Sequence, residues 1–352
     1  MKKRLPANIV IERYSKKYLD GIASLRDYYR KDARVKGVQI YSWKFQANPI
    51  GEPEIFIARD GSQIVAMAAA TPKKLKIKNG VLTVYELSDG YTHPEYLGMG
   101  LYCRLVSLLK ERLGEKGIDF TYGVSNDIVY PILKKLGCFE ILQLVNFYRP
   151  IRTDKLVESM FNSKLLGSIC CNIYDPLLRL FDSKILKFYS RNICVERVDR
   201  FSPAINQFTQ EANNQFDVLL ERNQDYLNWR YVNTPQQYKL YLVKYNDKIS
   251  GYFILRIIEH DKILKGTIVD LISYKDTKLV LAILRSIFLI FSSSKIDVAT
   301  ALTNRGSYYY NFYKYFFLPL RKNIFFISFF TDKSKYLADL SWYFTIGDCD
   351  NI

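Results

Sequence analysis

A short pattern occurs twice in this chain, 186 residues apart: a tryptophan, a basic residue and an aromatic residue, with a proline six residues after the tryptophan. The two occurrences are Trp43-Lys44-Phe45 with Pro49 and Trp229-Arg230-Tyr231 with Pro235. Each is followed by two apolar runs with a polar turn between them, which is typical of a β-hairpin. The same local structure is therefore predicted at two distant places.

A second pair of matching segments follows in the same order. Ile118-Asp119-Phe120 leads to Ser125-Asn126, and Ile296-Asp297-Val298 leads to Thr303-Asn304, 178 residues later. Both indicate a buried strand that ends in a hydroxyl residue and an asparagine. A repeat of about 180 residues indicates a duplicated domain, because solenoid repeats are only about 20–50 residues long.

The stretch between the two copies has an apolar rhythm without strand alternation, which favours helices that pack across the two domains. A helix lying on a membrane surface is the alternative, and the positive charge of the chain favours it. The predicted organisation is one domain over residues 1–150, a helical connector over 151–195 and a second domain over 196–352.

The composition is that of a folded protein, with 49% hydrophobic and 24% charged residues, and it excludes disordered and collagen-like chains. The six cysteines are scattered and only two histidines are present, so no metal site is expected. The first residues lack a signal-peptide core, and the longest apolar run, 279–291, is too short to span a bilayer. These features predict a soluble cytoplasmic protein.

Between the strand predicted over 82–88 and the strand that ends in Ser125-Asn126, the first copy has about six residues more than the second copy has between the corresponding strands. There a strand predicted over 82–88 enters a loop with Gly98 and Gly100, and an amphipathic helix begins at Leu101. The first amides of a helix have no internal partners, and the helix dipole adds about half a positive charge at that end. Glycines let the backbone approach an anion closely. The order of strand, glycine loop and helix therefore predicts a phosphate site.

This loop, residues 93–101, resembles the acyl-CoA loop of the GCN5-related N-acetyltransferase (GNAT) superfamily. The family pattern is Gln or Arg, two residues, Gly, one residue, then Gly or Ala. Leu97, Gly100 and Tyr102 stand at those positions, so only the glycine matches strictly. The preceding His-Pro-Glu-Tyr and the additional Gly98 strengthen the resemblance.

Other segments extend the resemblance. Ser125-Asn126 and Lys135-Leu136-Gly137 are similar to the second CoA-contacting strand and helix of that family. The two tryptophan segments and the ending 342–348 resemble a tandem subgroup that accompanies bacterial surface-polysaccharide synthesis. The resemblance implies an α+β fold of two tandem acyl-CoA N-acyltransferase-like domains. Each would be a mixed, mostly antiparallel sheet flanked by helices, with the phosphate loop lost from the second.

The resemblance also implies an acyl-CoA site, with acetyl-CoA or another acyl-CoA as co-substrate. Main-chain groups would hold the pyrophosphate and the pantetheine arm, and a backbone N–H would polarise the thioester carbonyl. The residues expected at this site are Tyr91, Thr92, Leu97, Gly98, Met99, Gly100, Leu101, Tyr102, Ser125 and Asn126.

The acceptor amine must lose a proton, and Glu86, Asp89 and His93 are the candidate bases. Asp270 stands at the place of Glu86 in the second copy, so an acid there also suits a structural role. The leaving thiolate needs a proton donor, and Tyr130 is the candidate, because Leu133 occupies the place of the family's usual tyrosine.

The function predicted from these features is acyl transfer to a primary amine, with an amino sugar on a nucleotide or lipid carrier as the best acceptor. The alternatives are an aminoacyl-tRNA-dependent transferase of cell-wall precursors and a catalytically degenerate binding or scaffold protein. The net charge of +16 suits phosphorylated ligands and leaves peripheral membrane contact open, while no nucleic-acid module is present. The oligomeric state is not predicted.

Two further expectations concern aromatic and acidic residues. Trp43 and Trp229 are expected in the core, with substrate stacking as the alternative. Asp348 and Asp350 are expected to be solvated acids, with contact to an acceptor amine as the alternative.

Overall fold

The computed structural model describes residues 6, 8–31, 34–78, 80–161, 163–182, 192–320 and 324–349. Its strands are β1 (Ile9–Arg13), β2 (Glu54–Asp60), β3 (Gln63–Ile77), β4 (Gly80–Thr92), β5 (Phe120–Ser125), β6 (Phe139–Pro150), β7 (Ile193–Val198), β8 (Val218–Leu220), β9 (Lys239–Tyr245), β10 (Lys248–His260), β11 (Ile263–Ser273), β12 (Val298–Asn304), β13 (Leu318–Pro319) and β14 (Phe325–Phe330). Its α-helices are α1 (Leu19–Tyr29), α2 (Gly37–Tyr41), α3 (Leu101–Glu115), α4 (Tyr130–Lys135), α5 (Asp154–Phe161), α6 (Lys164–Leu180), α7 (Ile205–Asn213), α8 (Gln224–Tyr231), α9 (Thr277–Ser293) and α10 (Tyr308–Phe316).

Within the described residues, fourteen strands form one continuous sheet. Its order is β1-β2-β3-β4-β5-β14-β6-β12-β11-β10-β9-β7, with β8 on β3 and β13 on β6. Each half has one parallel pair, β4 with β5 and β11 with β12, because α3 or α9 crosses back between those strands. The predicted fold class of two tandem α+β domains with mixed sheets flanked by helices is confirmed.

The two halves exchange strands at the centre of this sheet. Strand β14, from the end of the chain, lies between β5 and β6 of the first half. Strand β6 pairs with β14 through residues 139–143 and with β12 through residues 144–150. Each half of the sheet is therefore completed by the other half of the chain.

The predicted connector contains α5 and α6, and its last three residues already belong to β7. Residues 183–191 of the connector lie outside the described residues. No described helix combines the length and the apolarity that crossing a bilayer requires.

The two repeated tryptophans stack on each other where the halves meet. The ring centroids of Trp43 and Trp229 are 4.8 Å apart, with 21° between the ring planes. The indole N–H of Trp43 donates to the carbonyl oxygen of Trp229 over 2.9 Å, and the reverse hydrogen bond spans 3.4 Å. Both side chains are buried, so the expected core position is what the structure has. The reciprocal contacts indicate a pseudo-twofold relation between the halves.

Different helices cover the two faces of the first half of the sheet. Ala66, Ala68 and Ala70 of β3 share a core cluster with α3. Met67 and Ala69 share a different cluster with α1 and α2. Because side chains alternate along a strand, α3 and the pair α1 and α2 lie on opposite faces.

Candidate active site

Strands β4 and β5 run side by side and then separate. Their pairing ends at Leu87 and Gly123, although β4 continues to Thr92. At the point of separation, Ser88-Asp89 of β4 faces the single residue Ala69 of β3, which is a β-bulge. A bulge bends a strand and leaves one residue outside the ladder. The result is a cleft between the ends of β4 and β5, with the bulge at its apex.

The loop before α3 leaves a row of backbone amides without partners. Gly98 and Gly100 have φ of +82° and +80°, the left-handed region that favours glycine. An ideal Cβ on either glycine would have no described atom within 4 Å, so the space beside both is open. The N–H groups of residues 98–103 make no hydrogen bond to any described residue. Together with the positive end of the helix dipole, these amides form an arrangement that suits an anion.

Side chains around this loop fix its position without filling that space. The hydroxyl of Tyr96 donates to Asp60 over 2.8 Å. The ring of Tyr102 covers Gly90 of β4, where an added Cβ would lie 2.3 Å from the ring, and burial raises the pKa of Tyr102. Leu101 is buried in the core, whereas Leu97 is 52% exposed. The first turn of α3 therefore packs on β4 beside the cleft.

Tyr91 and Thr92 lie at the end of β4. The ring of Tyr91 lies 5.7 Å from the ring of Tyr29, and burial is the largest cause that raises the pKa of Tyr91. The hydroxyl of Tyr29 donates to the carbonyl oxygen of Thr92. The α1 side of this strand end is therefore occupied by the protein's own aromatic side chains.

Ser125 and Asn126 lie at the end of β5, across the cleft. Ser125 is buried and pairs with Phe325 of β14. The side-chain oxygen of Asn126 accepts from the amides of Ile128 and Val129, each over 3.0 Å. The Asn126 side chain therefore supports the turn into α4.

Both candidate carboxylate bases form buried ion pairs with lysines. Glu86 and Lys73 are each 1% exposed, and Lys73 Nζ lies 3.4 Å from Glu86 Oε2. Asp89, on the bulge, pairs with Lys44 Nζ over 2.5 Å, and both of these side chains are buried. Neither lysine was predicted from the sequence to be part of the site. The signal for Lys44 was available, because the basic residue after the tryptophan is repeated in the second copy.

The other two acid–base candidates lie at opposite sides of the cleft. The ring of Tyr130 stacks on Phe325 with centroids 3.9 Å apart and 5° between planes. Burial is the largest cause that raises the pKa of Tyr130, so its phenol keeps its proton at neutral pH. The backbone N–H of His93 donates to Val65 over 2.7 Å, and His93 Nδ1 lies 3.8 Å from Glu95 Oε2.

In the second half, the corresponding cleft is filled by the chain's own residues 342–349. The pairing of β11 with β12 ends at Ile268 and Ala301. Asn304, the counterpart of Asn126, accepts from the amide of Phe344 and donates to the carbonyl of Trp342, over 3.0 and 2.9 Å. This segment lies where a ligand would enter.

A buried charge cluster anchors that segment. Arg222 lies 2.7 Å from Asp348 and 3.1 Å from Asp270, and all three side chains are buried. Asp348 is therefore not the solvated acid that we expected, and Asp350 lies outside the described residues. Burial raises the pKa of Asp348, and the nearby charge of Asp270 adds to this effect.

The start of α9 also differs from the start of α3. Only the three residues 274–276 join β11 to α9. The side chain of Asp276 accepts from the amide of Leu279 over 2.9 Å. A carboxylate at this helix start satisfies the amide and would repel a phosphate. The anion-binding arrangement of the first half is therefore not repeated there.

Comparisons with known proteins agree with this geometry. The family model of the acetyltransferase (GNAT) domain matches residues 10–141, a little over a third of the chain. No curated protein shows significant sequence similarity to the chain.

Solved structures of similar fold cover nearly the whole chain. A probable N-acyltransferase of Enterococcus faecalis has a TM-score of 0.63 at 12% identity, over 94% of this chain and 74% of that one. A GCN5-related N-acetyltransferase of Anabaena variabilis has a TM-score of 0.62 at 12% identity, with the same coverage. Saccharomyces cerevisiae N-myristoyltransferase, solved with myristoyl-CoA, has 0.63 at 14% identity, over 94% of this chain and 81% of that one.

The family match and the fold point to the same class of protein. Residues 10–141 match the model of the GNAT acetyltransferase domain, and the similarity of fold extends over the second half as well. These findings support an acyltransferase.

Proposed function

We propose that this protein transfers an acetyl or other acyl group from acyl-CoA to a primary amine. The observation that carries the proposal is the open cleft between β4 and β5, flanked by the unpartnered amides of residues 98–103. Support for acyl-CoA as co-substrate comes from the GNAT family match and from a similar fold that binds myristoyl-CoA. Leu97 offers no polar side chain, so phosphate binding rests on the backbone amides.

In this proposal backbone groups make most of the contacts that bind acyl-CoA. The amides of residues 98–103 hold the pyrophosphate of CoA, and the edge of β4 beyond Leu87 pairs with the pantetheine arm. A backbone N–H near the end of β4 polarises the thioester carbonyl. The side chains of Ser125 and Asn126 then shape the opposite wall of the cleft, where Asn126 keeps the turn in place.

The reaction itself is a simple exchange at the thioester carbon. The amine nitrogen attacks that carbon, the C–N bond forms, and the C–S bond breaks to release CoA as a thiolate. The amine proton passes to a base, and the thiolate takes up a proton. Tyr130 is the proposed donor, because its raised pKa keeps it protonated until the thiolate forms.

Asp89 is our preferred base, since it lies on the bulge at the apex of the cleft. Glu86 is the second candidate. Each carboxylate is paired with a buried lysine. We therefore assign a large share of the rate to orientation and carbonyl polarisation.

The acceptor that we propose is an amino sugar on a nucleotide or lipid carrier, used in surface-polysaccharide synthesis. The basic balance of the chain, +16, supports a phosphorylated acceptor. An aminoacyl-tRNA-dependent transferase and a degenerate binding protein are the competing functions.

The test is thiol release from acetyl-CoA and longer acyl-CoAs in the presence of a panel of amino sugars and amino-sugar nucleotides. We expect amine-dependent release of one CoA thiol per amide formed. Binding of acetyl-CoA without turnover on any amine would favour the degenerate binder. Absence of acetyl-CoA binding, together with transfer from aminoacyl-tRNA, would favour the tRNA-dependent enzyme.

We also propose that α6 contacts an anionic membrane surface. Its large apolar side chains are exposed along one face, at four-residue steps. They are Leu165, Ile169, Ile173 and Leu177. We expect the protein to float with vesicles that contain phosphatidylglycerol, and the double variant Ile173→Asp, Leu177→Asp to remain in solution. Equal flotation of both proteins would overturn the assignment.

A further inference from the structure

A cavity lined by basic side chains lies on the opposite face of the sheet from α3. This cavity, of about 340 Å³, opens between the two halves of the protein. One wall comes from α1 and the residues after it, and the other comes from β10 of the second half. The charged side chains that line it are Arg26, Arg30, Lys31, Arg34, Arg256 and Glu259, with His260 at the end of β10.

Most of this positive charge is not neutralised by the protein. Arg26 pairs with Asp27 over 2.8 Å. In the described part of the chain, no carboxylate forms an ion pair with Arg30, Arg34 or Arg256. Among the described lining residues, four arginines and one lysine face a single carboxylate, that of Glu259. Guanidinium groups that converge on one cavity repel one another, and a bound anion relieves that repulsion.

Arg256 is half-buried. Burial is the largest cause that lowers the pKa of Arg256, and the charges of Arg230, Arg34 and Arg30 lower it further. Both halves of the chain therefore contribute to one concentration of positive charge.

The cavity adjoins the end of β4. Tyr29, which lines it, donates its hydroxyl hydrogen bond to the carbonyl oxygen of Thr92. The charge of Arg30 acts on the neighbouring residue, Tyr91: it lowers the pKa of that phenol against the larger effect of burial, which raises it. The amides of residues 98–103 lie on the α3 side of the same strand. The cavity and the glycine loop therefore approach the cleft from opposite faces.

We propose that this cavity binds a phosphate group of the acceptor, through guanidinium groups of Arg30, Arg34 and Arg256. This inference rests on the proposed function and specifies its substrate class: an amine that carries a phosphate or diphosphate. Guanidinium forks match phosphate oxygens in a bidentate way, and several forks together suit a dianion better than a single carboxylate. Because Arg256 comes from the second half, the duplicated domain supplies acceptor specificity while the first half binds CoA.

The test uses inorganic pyrophosphate as the probe, titrated by calorimetry into protein saturated with acetyl-CoA. We expect one pyrophosphate site that persists in the presence of acetyl-CoA. Arg256→Gln and Arg30→Gln should each weaken pyrophosphate about tenfold, since each removes a hydrogen bond to a charged group. Arg305→Gln, an equal change of charge at an exposed position elsewhere, should leave the affinity unchanged. Arg30 is exposed, so its substitution does not disturb the core.

The inference is overturned if acetyl-CoA displaces pyrophosphate. It is also overturned if Arg256→Gln and Arg30→Gln bind pyrophosphate as tightly as Arg305→Gln does. If the wild type does not bind acetyl-CoA, the proposed function fails. The same titration on the CoA-free protein, with the same three variants, then still decides whether the cavity binds phosphate. The two ideas therefore fail in distinguishable ways.

Discussion

Gly100→Glu is the substitution that most selectively disturbs the proposed pyrophosphate site. Gly100 immediately precedes α3 with φ of +80°, and no described atom lies within 4 Å of an added Cβ. A glutamate there fits sterically but adopts a left-handed backbone at a cost of about 1–2 kcal/mol. Its negative charge lies near the positive end of the helix dipole, which offsets about 0.3–1 kcal/mol of that cost.

The effect on acetyl-CoA should be much larger than the effect on stability. The carboxylate would occupy the place of a pyrophosphate oxygen. Loss of two charge-assisted hydrogen bonds at about 1.5 kcal/mol each gives about 3 kcal/mol, roughly a hundredfold in affinity. Calorimetry measures the affinity, and chemical denaturation measures the free energy of unfolding.

Gly117→Glu is the matched control. Gly117 follows the other end of α3, has φ of +71°, and likewise has no described atom within 4 Å of an added Cβ. The control therefore introduces the same strain and the same charge away from the proposed site. We expect its acetyl-CoA affinity to stay within about twofold of the wild type. Equal loss of affinity in both variants, or none in Gly100→Glu, would refute the reasoning.

Three further predictions concern the packing and the buried charges. Trp43→Ala removes the indole stack between the halves and should lower the free energy of unfolding by about 3–5 kcal/mol in denaturant titrations; a loss below about 1 kcal/mol would contradict the stack's role. Lys73→Met leaves Glu86 buried without its lysine and should cost about 3–5 kcal/mol, with much of the loss recovered by adding Glu86→Leu; no recovery in the double variant would argue against the ion pair. The raised pKa of Asp348 means that the folded state binds more protons than the unfolded state above the ordinary value of 3.8, so this group's contribution to stability falls as pH rises. Asp348→Asn should flatten that decline at pH values above 3.8, and an unchanged slope would show that another group is responsible.

The features that sequence alone predicted are local ones. The repeated tryptophan segments, the strands that end in asparagine and the glycine loop before α3 are each carried by a few neighbouring residues. Gly98 and Gly100 were informative because a positive φ favours glycine. The loop conformation could therefore be inferred from the residue type.

The features that sequence did not predict depend on contacts between distant residues. No local pattern says that β14 inserts between β5 and β6, because an apolar strand suits many partners. Likewise, the ending 342–348 was taken for a family feature and not for part of the segment that fills the second cleft. Lys73 was missed because a lysine on a strand is usually solvated, and only the fold brings Glu86 to it.

The role of the two clefts is tested most directly by hydrogen–deuterium exchange with and without saturating acetyl-CoA. We predict slower exchange at residues 88–92 and 98–103 when acetyl-CoA is present, with no change at residues 269–276 of the second half. Unchanged exchange at the first two segments, or protection confined to the second half, would contradict the assignment of the acyl-CoA site.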